Sequence, residues 1–235
     1  MNIKNKKIIL ITGTSKGIGK YLAEYYCGKG HVVTGCSRNE SEIKNDNYTH
    51  FLLDVTDEKK VKELFLHIRK NYDRLDVLIN NAGIASMNHV MLTPSETVNK
   101  IFETNFTGTF LFCREAAKLM SKNKSGRIIN FSSVAADLAI EGEAIYAASK
   151  SAVETFTKIL SKELSAFGIT ANTIGLTPVK TDLIKNVPVV KINNLLEKLT
   201  VKRFAEFTDI SNVTDFFIRE ESNFITGQNI NLGGV

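Results

Sequence analysis

The sequence predicts a doubly wound α/β fold, in which a parallel sheet of about seven strands is covered by helices on both faces. Two observations predict it. Short apolar runs rich in Ile, Val, Leu and Phe alternate with segments of helical period. Runs without polar alternation are typical of strands buried on both faces, and β-α alternation is typical of parallel sheets. The length of 235 residues suits one full core, so we expect one domain over residues 1–235.

The pattern places each element along the chain. The strands are predicted at Ile8–Ile11, Val32–Cys36, Phe51–Leu53, Val77–Ile79, Ile128–Phe131, Ile169–Ile174 and, with a weaker pattern, Asn229–Leu232. The helices are predicted at Ile18–Lys29, Glu58–Lys70, Ser95–Lys122, Ala144–Phe167 and Asp209–Glu220. The stretch Gly175–Ala205 is irregular because Pro178 and Pro188 interrupt a weak helical pattern. Long connections in compact α/β domains are often functional, so we expect a substrate lid at about residues 175–205.

Composition and charge exclude several classes of protein. The net charge is +5, but the lysines are scattered, which favours a solvated basic surface over a nucleic-acid site. No apolar stretch approaches the length of a membrane span, and the histidines lack metal-ligand spacing. An odd number of cysteines without a CxxC pair predicts free thiols in a reducing, cytoplasmic compartment. These cysteines are Cys27, Cys36 and Cys113.

The first strand runs directly into a glycine-rich loop and then a helix. Glycines allow a tight turn and a close approach of backbone N–H groups to a pyrophosphate, and the helix N-terminus adds partial positive charge. The spacing is GxxxGxG, which is neither GxGxxG nor a P-loop. The alternative is a turn without a ligand, but its position after the first strand favours a dinucleotide. The predicted contacts are Gly13, Ser15, Lys16, Gly17, Ile18 and Gly19.

The end of the second strand indicates which dinucleotide binds. A Rossmann-type domain that prefers NAD usually places an acid there, where it binds the ribose 2′-hydroxyl. Here Ser37 and Arg38 occupy that position, and Lys16 is a second cation within reach. Two cations without a carboxylate suit a 2′-phosphate, so we expect NADP(H) in preference to NAD(H). The alternative is that Arg38 and Lys16 are exposed surface cations only.

Tyr146 and Lys150 lie at positions i and i+4, on one face of a predicted helix. This spacing alone is weak, because Tyr25 and Lys29 match it too. That second pair lies away from any strand end, and we interpret it as surface or core.

Other polar residues fall where strands end or where a helix is locally disfavoured. Ser132 and Ser133 follow a buried strand, and Asn80–Gly83 follow the strand before it. Strand carboxyl ends form the ligand crevice of open α/β sheets. Asn105 falls inside a predicted helix, where asparagine is unfavourable, and this local misfit indicates a polar role.

These side chains fit the reduction of a carbonyl group by hydride. Tyr146 can donate the proton, with Lys150 lowering the pKa of the phenol. Ser133 can donate a hydrogen bond to the carbonyl oxygen. Lys150 can also bind the nicotinamide ribose, and Asn105 can hold a water that relays protons to Lys150.

With these motifs the chain resembles the short-chain dehydrogenase/reductase family over nearly all of its length. The residues that carry the resemblance are Thr12–Gly19, Asp54, Val55, Asn80–Gly83, Asn105, Ser133, Tyr146–Lys150 and Asn172–Ile174. It implies a single-domain Rossmann fold, binding of a small-molecule carbonyl or alcohol, and interconversion of a ketone and a secondary alcohol by a homodimer or homotetramer. It also implies roles for individual residues: Asn105, Ser133, Tyr146 and Lys150 in catalysis, Asp54 and Val55 at the adenine, Asn81, Ala82 and Gly83 at the cofactor, and Thr181 at the carboxamide.

The chain departs from the family pattern in two places. Leu176 and Thr177 stand where the family has Pro-Gly. The similar 3-oxoacyl carrier-protein reductases use two basic residues to dock an acidic carrier; Lys124 matches one of them, and Phe167 stands at the other. We therefore expect weaker activity on carrier-bound chains than on a free polar ketone.

Three alternatives stay open for the function. One is a 3-oxoacyl carrier-protein reductase of fatty-acid synthesis. Another is a keto-sugar reductase of surface polysaccharide synthesis, because residues 172–183 and the C-terminal residues 225–234 also resemble such reductases. The third is a non-catalytic dinucleotide-binding sensor. The intact Ser/Tyr/Lys/Asn set argues against the sensor, because a module without catalysis does not need it.

Overall fold

Seven parallel strands form one sheet in the order β3-β2-β1-β4-β5-β6-β7, which confirms the predicted fold class. This computed structural model describes residues 6–185 and 187–235. The strands are β1 (Ile8–Thr12), β2 (Val32–Ser37), β3 (Tyr48–Leu52), β4 (Val77–Asn80), β5 (Gly126–Ser133), β6 (Ile169–Leu176) and β7 (Asn229–Asn231). The third strand begins three residues before the predicted Phe51. It is an edge strand, so its first half carries polar residues that an apolar-run criterion misses.

The helices pack on both faces of this sheet. They are α1 (Gly17–Gly28), α2 (Glu58–Tyr72), α3 (Ser95–Phe102), α4 (Gly108–Asn123), α5 (Ala135–Leu138), α6 (Ala144–Leu164), α7 (Val189–Lys198) and α8 (Phe207–Ile218). The single helix predicted at Ser95–Lys122 is interrupted by a π-helical turn at Glu103–Thr107. The helix predicted at Asp209–Glu220 begins two residues earlier, because Glu206 and Asp209 form a capping box at its N-terminus.

Two apolar cores lie on opposite faces of the sheet. On one face, α2, α4 and α6 pack against the strands, with Leu64, Phe112 and Leu160 buried among them. On the other face, α1 and α8 bury Leu22 and Phe217. Apolar side chains therefore cover both faces of the sheet, as an all-parallel sheet requires. No helix in residues 6–185 and 187–235 is long and apolar enough to cross a membrane.

The order of the strands reverses at β1, which lies between β2 and β4. In open α/β sheets the crevice at such a reversal is where ligands bind. The hydroxyl of Thr12, at the end of β1, accepts hydrogen bonds from the backbone N–H groups of Asn81 and Ala82 at 3.0 and 2.9 Å. These bonds hold the loops after β1 and β4 side by side at the crevice.

Candidate active site

A cavity of about 430 Å³ opens at the carboxyl edge of β1 and β4. Its walls come from the glycine-rich loop, the ends of β2, β4 and β5, the start of α6 and the segment after β6. Of the residues predicted to bind the cofactor, all but Gly19 line it: Gly13, Ser15, Lys16, Gly17, Ile18, Ser37, Arg38, Asp54, Val55, Asn81, Ala82, Gly83, Tyr146, Lys150 and Thr181. The structure therefore brings the phosphate loop and the Tyr/Lys pair to one space.

Gly19 has a packing role instead of a lining role. A Cβ atom at Gly19 would lie 2.2 Å from the carbonyl oxygen of Gly13, so only glycine allows this close contact within the loop. At Gly17, whose φ is +58°, a Cβ would meet nothing closer than 3.7 Å. Open space over a glycine in the left-handed region leaves the backbone there accessible to a phosphate.

The β2 end of the cavity carries a hydroxyl and a cation. Ser37 is buried and Arg38 is exposed, and among residues 6–185 and 187–235 the acids that line the cavity are Asp54 and Asp182. Within the part of the chain that the structure describes, the Arg38 guanidinium has no ion-pair partner. The ammonium of Lys16, expected at the same place, instead lies 3.0 Å from the Asp182 carboxylate. Lys16 thus joins the glycine loop to the segment after β6.

Tyr146 and Lys150 project from the first turns of α6 toward the end of β5. The Lys150 side chain is buried, and its Nζ donates to the carbonyl oxygen of Phe131 at 2.8 Å. Burial lowers the pKa of Lys150 from 10.5 to about 8. Nζ lies 5.9 Å from the centre of the Tyr146 ring.

Burial raises the pKa of the Tyr146 phenol to about 12, while the Ser133 hydroxyl acts in the opposite direction. The expectation that Lys150 lowers this pKa is wrong for the protein alone, because desolvation dominates and the ammonium is turned toward Phe131. The Ser133 Oγ accepts from the N–H of Ala135 at 3.2 Å. Its own proton is therefore available to an acceptor in the site.

Asn105 lies in the π-helical turn between α3 and α4, and its side chain is buried. Its Oδ1 accepts from the N–H of Ile84 at 2.9 Å, and its Nδ2 donates to the Ile84 carbonyl and to the Ser149 hydroxyl, both at 3.0 Å. This amide fixes the loop after β4 against α6. Both amide protons have protein partners, and the expected role of Asn105 in holding a water stays a prediction.

Glu154, an acid close to Lys150, belongs to none of the sequence motifs. Glu154 lies one turn further along α6, and its carboxylate accepts from the Ser132 hydroxyl at 2.5 Å and from Asn229 at 3.3 Å. Burial raises the pKa of Glu154, and its charge in turn raises the pKa of Lys150. Only the pairing of α6 with β5 reveals this contact, since Ser132 and Glu154 are 22 residues apart.

The residues present fit a nicotinamide dinucleotide. The glycine loop can take the pyrophosphate, Ser37 and Arg38 the 2′-substituent of the ribose, and Lys150 the hydroxyls of the second ribose. Tyr146 and Ser133 are then left for a substrate oxygen. No group of His, Cys, Asp and Glu residues able to hold a metal occurs in residues 6–185 and 187–235.

A family model described as short chain dehydrogenase matches residues 7–189. The 3-oxoacyl-acyl-carrier-protein reductase FabG of Salmonella typhimurium is 31% identical over 234 residues, which cover 97% of this chain and 96% of that protein. The FabG protein of Vibrio cholerae is 32% identical over 240 residues, covering 100% of this chain and 98% of its own.

Solved structures agree with these relatives. The structure of ElxO with NADP bound has a TM-score of 0.89 and 31% sequence identity, and the match covers 97% of both chains. A short chain dehydrogenase of Leptospira borgpetersenii with bound NAD+ has a TM-score of 0.88 and 25% identity, covering 100% of this chain and 96% of its own. The fold therefore occurs with either dinucleotide, and the residues at the end of β2 must decide between them.

Proposed function

The chain belongs to the short chain dehydrogenase family and is an NAD(P)-dependent oxidoreductase, and we propose that it reduces a small polar ketone with NADPH. The observation that carries the proposal is the convergence of Tyr146 and Lys150 on the wall of the cavity, with the Ser133 hydroxyl against the Tyr146 phenol. Neighbours with NADP and with NAD+ both exist. Ser37 in place of an acid, with Arg38 beside it, favours NADP(H).

The nicotinamide ring, when bound, supplies or accepts the hydride at the substrate carbon. A substrate carbonyl that accepts hydride builds negative charge on its oxygen and needs a proton. Because its pKa is about 12, the Tyr146 phenol holds its proton at neutral pH and can donate it. The Ser133 hydroxyl donates a hydrogen bond to the same oxygen, and the Lys150 ammonium stabilises the charge that develops. Asn105 positions the loop after β4 and the helix that carries Tyr146.

The direct test replaces Tyr146 by Phe. We expect Tyr146→Phe to lose about 10²–10⁴-fold in kcat on an accepted ketone, while the affinity for NADPH stays within about twofold, because the phenol acts on the substrate. The matched control is Tyr25→Phe, the other Tyr of a YxxxK spacing, whose hydroxyl donates to Asp215 at 2.6 Å in a structural contact. Turnover by Tyr146→Phe at the wild-type rate would contradict the assignment of Tyr146 as the acid.

The substrate is found by a panel of ketones, acyl thioesters and keto-sugars, assayed through NADPH consumption. A second candidate function, reduction of a 3-oxoacyl chain on a carrier protein, is favoured by the relatives in Salmonella and Vibrio. Against it stands Phe167, which is 42% exposed where a cation is expected to meet the carrier. No turnover of any substrate together with tight NADPH binding would favour the sensor instead.

We also propose that the protein works as a homodimer or homotetramer in the cytoplasm. Phe156 of α6 makes edge-to-face contacts with Phe106 of the π-helical turn and with Phe110 of α4. Phe110 and Ile159 remain 37% and 52% exposed, an apolar surface that a symmetric partner would cover. The three cysteines are free and buried, which suits a reducing compartment.

A further inference from the structure

The ammonium of Lys16 is bound to an acid of the segment after β6. Its Nζ lies 3.0 Å from Oδ2 of Asp182, which is 166 residues away along the chain, and both residues line the cavity. The Lys185 ammonium contacts Oδ1 of the same carboxylate. One carboxylate therefore binds two lysines, one from the glycine-rich loop and one from its own segment.

The segment that carries Asp182 lies across the glycine-rich loop. A Cβ atom at Gly17 would lie 3.7 Å from Cγ2 of Thr181, so the side chain that precedes Asp182 lies above the loop. The side chains of Lys16 and Asp182 are 66% and 44% exposed. Ion pairs at such exposure are weak, so Lys16 can exchange this carboxylate for another anion at little cost.

Lys16 is also close in the fold to the end of β2. The backbone N–H groups of Gly13 and Thr14 donate to the carbonyl oxygen of Cys36 at 2.7 and 3.2 Å. The glycine-rich loop therefore begins against the strand end that leads to Arg38. A lysine carries its ammonium on a flexible four-carbon stem, so the Lys16 ammonium can turn toward this strand end as well as toward the acid.

The carboxyl group of Asp182 is ionised at neutral pH. Hydrogen bonds from Lys185 and from Lys16 lower its pKa to about 2. An ionised carboxylate on the wall of a phosphate site repels the phosphates and attracts the cations that would bind them. Asp182 therefore opposes the binding of an anionic dinucleotide, and it opposes most strongly the binding of a phosphate that needs Lys16.

We propose that Asp182 is a specificity-determining residue, which limits the discrimination between NADPH and NADH because it competes with the 2′-phosphate of NADPH for the Lys16 ammonium. This inference rests on the proposed preference for NADP(H). When NADPH binds, Lys16 exchanges the carboxylate for the phosphate, and Asp182 keeps Lys185 as its partner. NADH lacks the 2′-phosphate, so the pair of Lys16 and Asp182 stays intact when NADH binds. The acid therefore lowers the affinity for NADPH more than the affinity for NADH.

The experiment is isothermal titration of NADPH and of NADH into the wild type and its variants, at one low ionic strength, because salt screens exposed charges. The quantity compared is the ratio of the two dissociation constants, in which an effect on the pyrophosphate alone cancels. Asp182→Asn should raise the affinity for NADPH about two- to fivefold more than the affinity for NADH, as the loss of an exposed ion pair allows.

Three further variants assign the effect to Lys16. Lys185→Met removes the second partner of Asp182 and so strengthens its pair with Lys16, and the ratio should move in the opposite direction. In a Lys16→Met background, Asp182→Asn should leave the ratio unchanged, because the cation for which the acid competes is absent. The matched control is Glu42→Gln. This exposed acid pairs with Lys20 at 3.4 Å, and neither is among the described residues that line the cavity, so the ratio should stay at the wild-type value.

The outcomes separate the inference from the proposal beneath it. A wild-type ratio in Asp182→Asn, with NADPH still preferred, would overturn the inference. The same shift of the ratio in Glu42→Gln, or in the Lys16→Met background, would overturn it too, because the effect would then be one of net charge. A wild type that binds NADH as tightly as NADPH, or more tightly, would instead overturn the proposed cofactor preference.

Discussion

The stability of Lys150→Met relative to that of the wild type should rise as the pH is lowered, although the substitution removes a residue proposed for catalysis. The Lys150 ammonium is buried, and burial lowers its pKa from 10.5 to about 8. Between these values the unfolded chain binds the proton more tightly than the folded protein does. The wild type therefore gains stability as the pH rises through this window and carries the full cost of the buried charge below about pH 8.

The magnitude follows from the same pKa values. A fall from 10.5 to about 8 corresponds to about 3 kcal/mol of unfolding free energy at pH 7. Methionine also leaves the Phe131 carbonyl without its donor, which costs about 1–3 kcal/mol but does not depend on pH. The net change at pH 7 is therefore small, and the pH dependence is the quantity to measure. The stability of Lys150→Met minus that of the wild type should fall by about 2.5 kcal/mol between pH 7 and pH 10.

Urea unfolding of both proteins without cofactor, at pH 7, 8, 9 and 10, measures this difference, and all other titrating groups cancel between them. The control is Lys158→Met, which removes an exposed lysine two turns along the same helix and should show no pH-dependent difference. A Lys150→Met difference constant over this range would refute the conclusion that Lys150 is held at a desolvation cost. A difference that falls with pH would show that the protein loses stability at the position of the proposed catalytic cation.

Three further predictions test other parts of the site. Glu154→Gln removes the charge that raises the pKa of Lys150, so the alkaline limb of the pH profile of kcat/KM should move down by roughly 0.5–1 pH unit; an unmoved limb would rule out this coupling. Ile159→Arg places a charge on the exposed apolar face of α6, and light scattering should then give a smaller assembly than the wild type; an unchanged mass would place the interface elsewhere. Lys124→Glu should leave kcat/KM for a carrier-bound substrate within about twofold of the wild-type value, and a large loss would favour the carrier-protein reductase interpretation.

The regular parts of the fold were predictable because they depend on local pattern. Strands buried on both faces need continuous apolar runs, so six of the seven strands were placed closely, and the edge strand β3 was the exception. The helix α7 was missed, since none of its residues is buried and an apolar stripe is the signal that reveals a helix. The residues that line the cavity were predictable for a different reason. Loop glycines and polar side chains at strand ends do not contribute to an apolar core, so they indicate a ligand site.

The parts that escaped prediction are contacts between distant segments. Asn105 shows where this limit lies. Its misfit in a helical segment correctly indicated an irregular, polar position, which is the π-helical turn, because propensity is a local property. Its partners, Ile84 and Ser149, lie 21 and 44 residues away, and no local rule pointed to them. The same holds for Glu154 with Ser132. A motif identifies the residues that are expected to contact a ligand. The residues that set the charge and the orientation of those side chains are recognised only once the pairing of the strands is known.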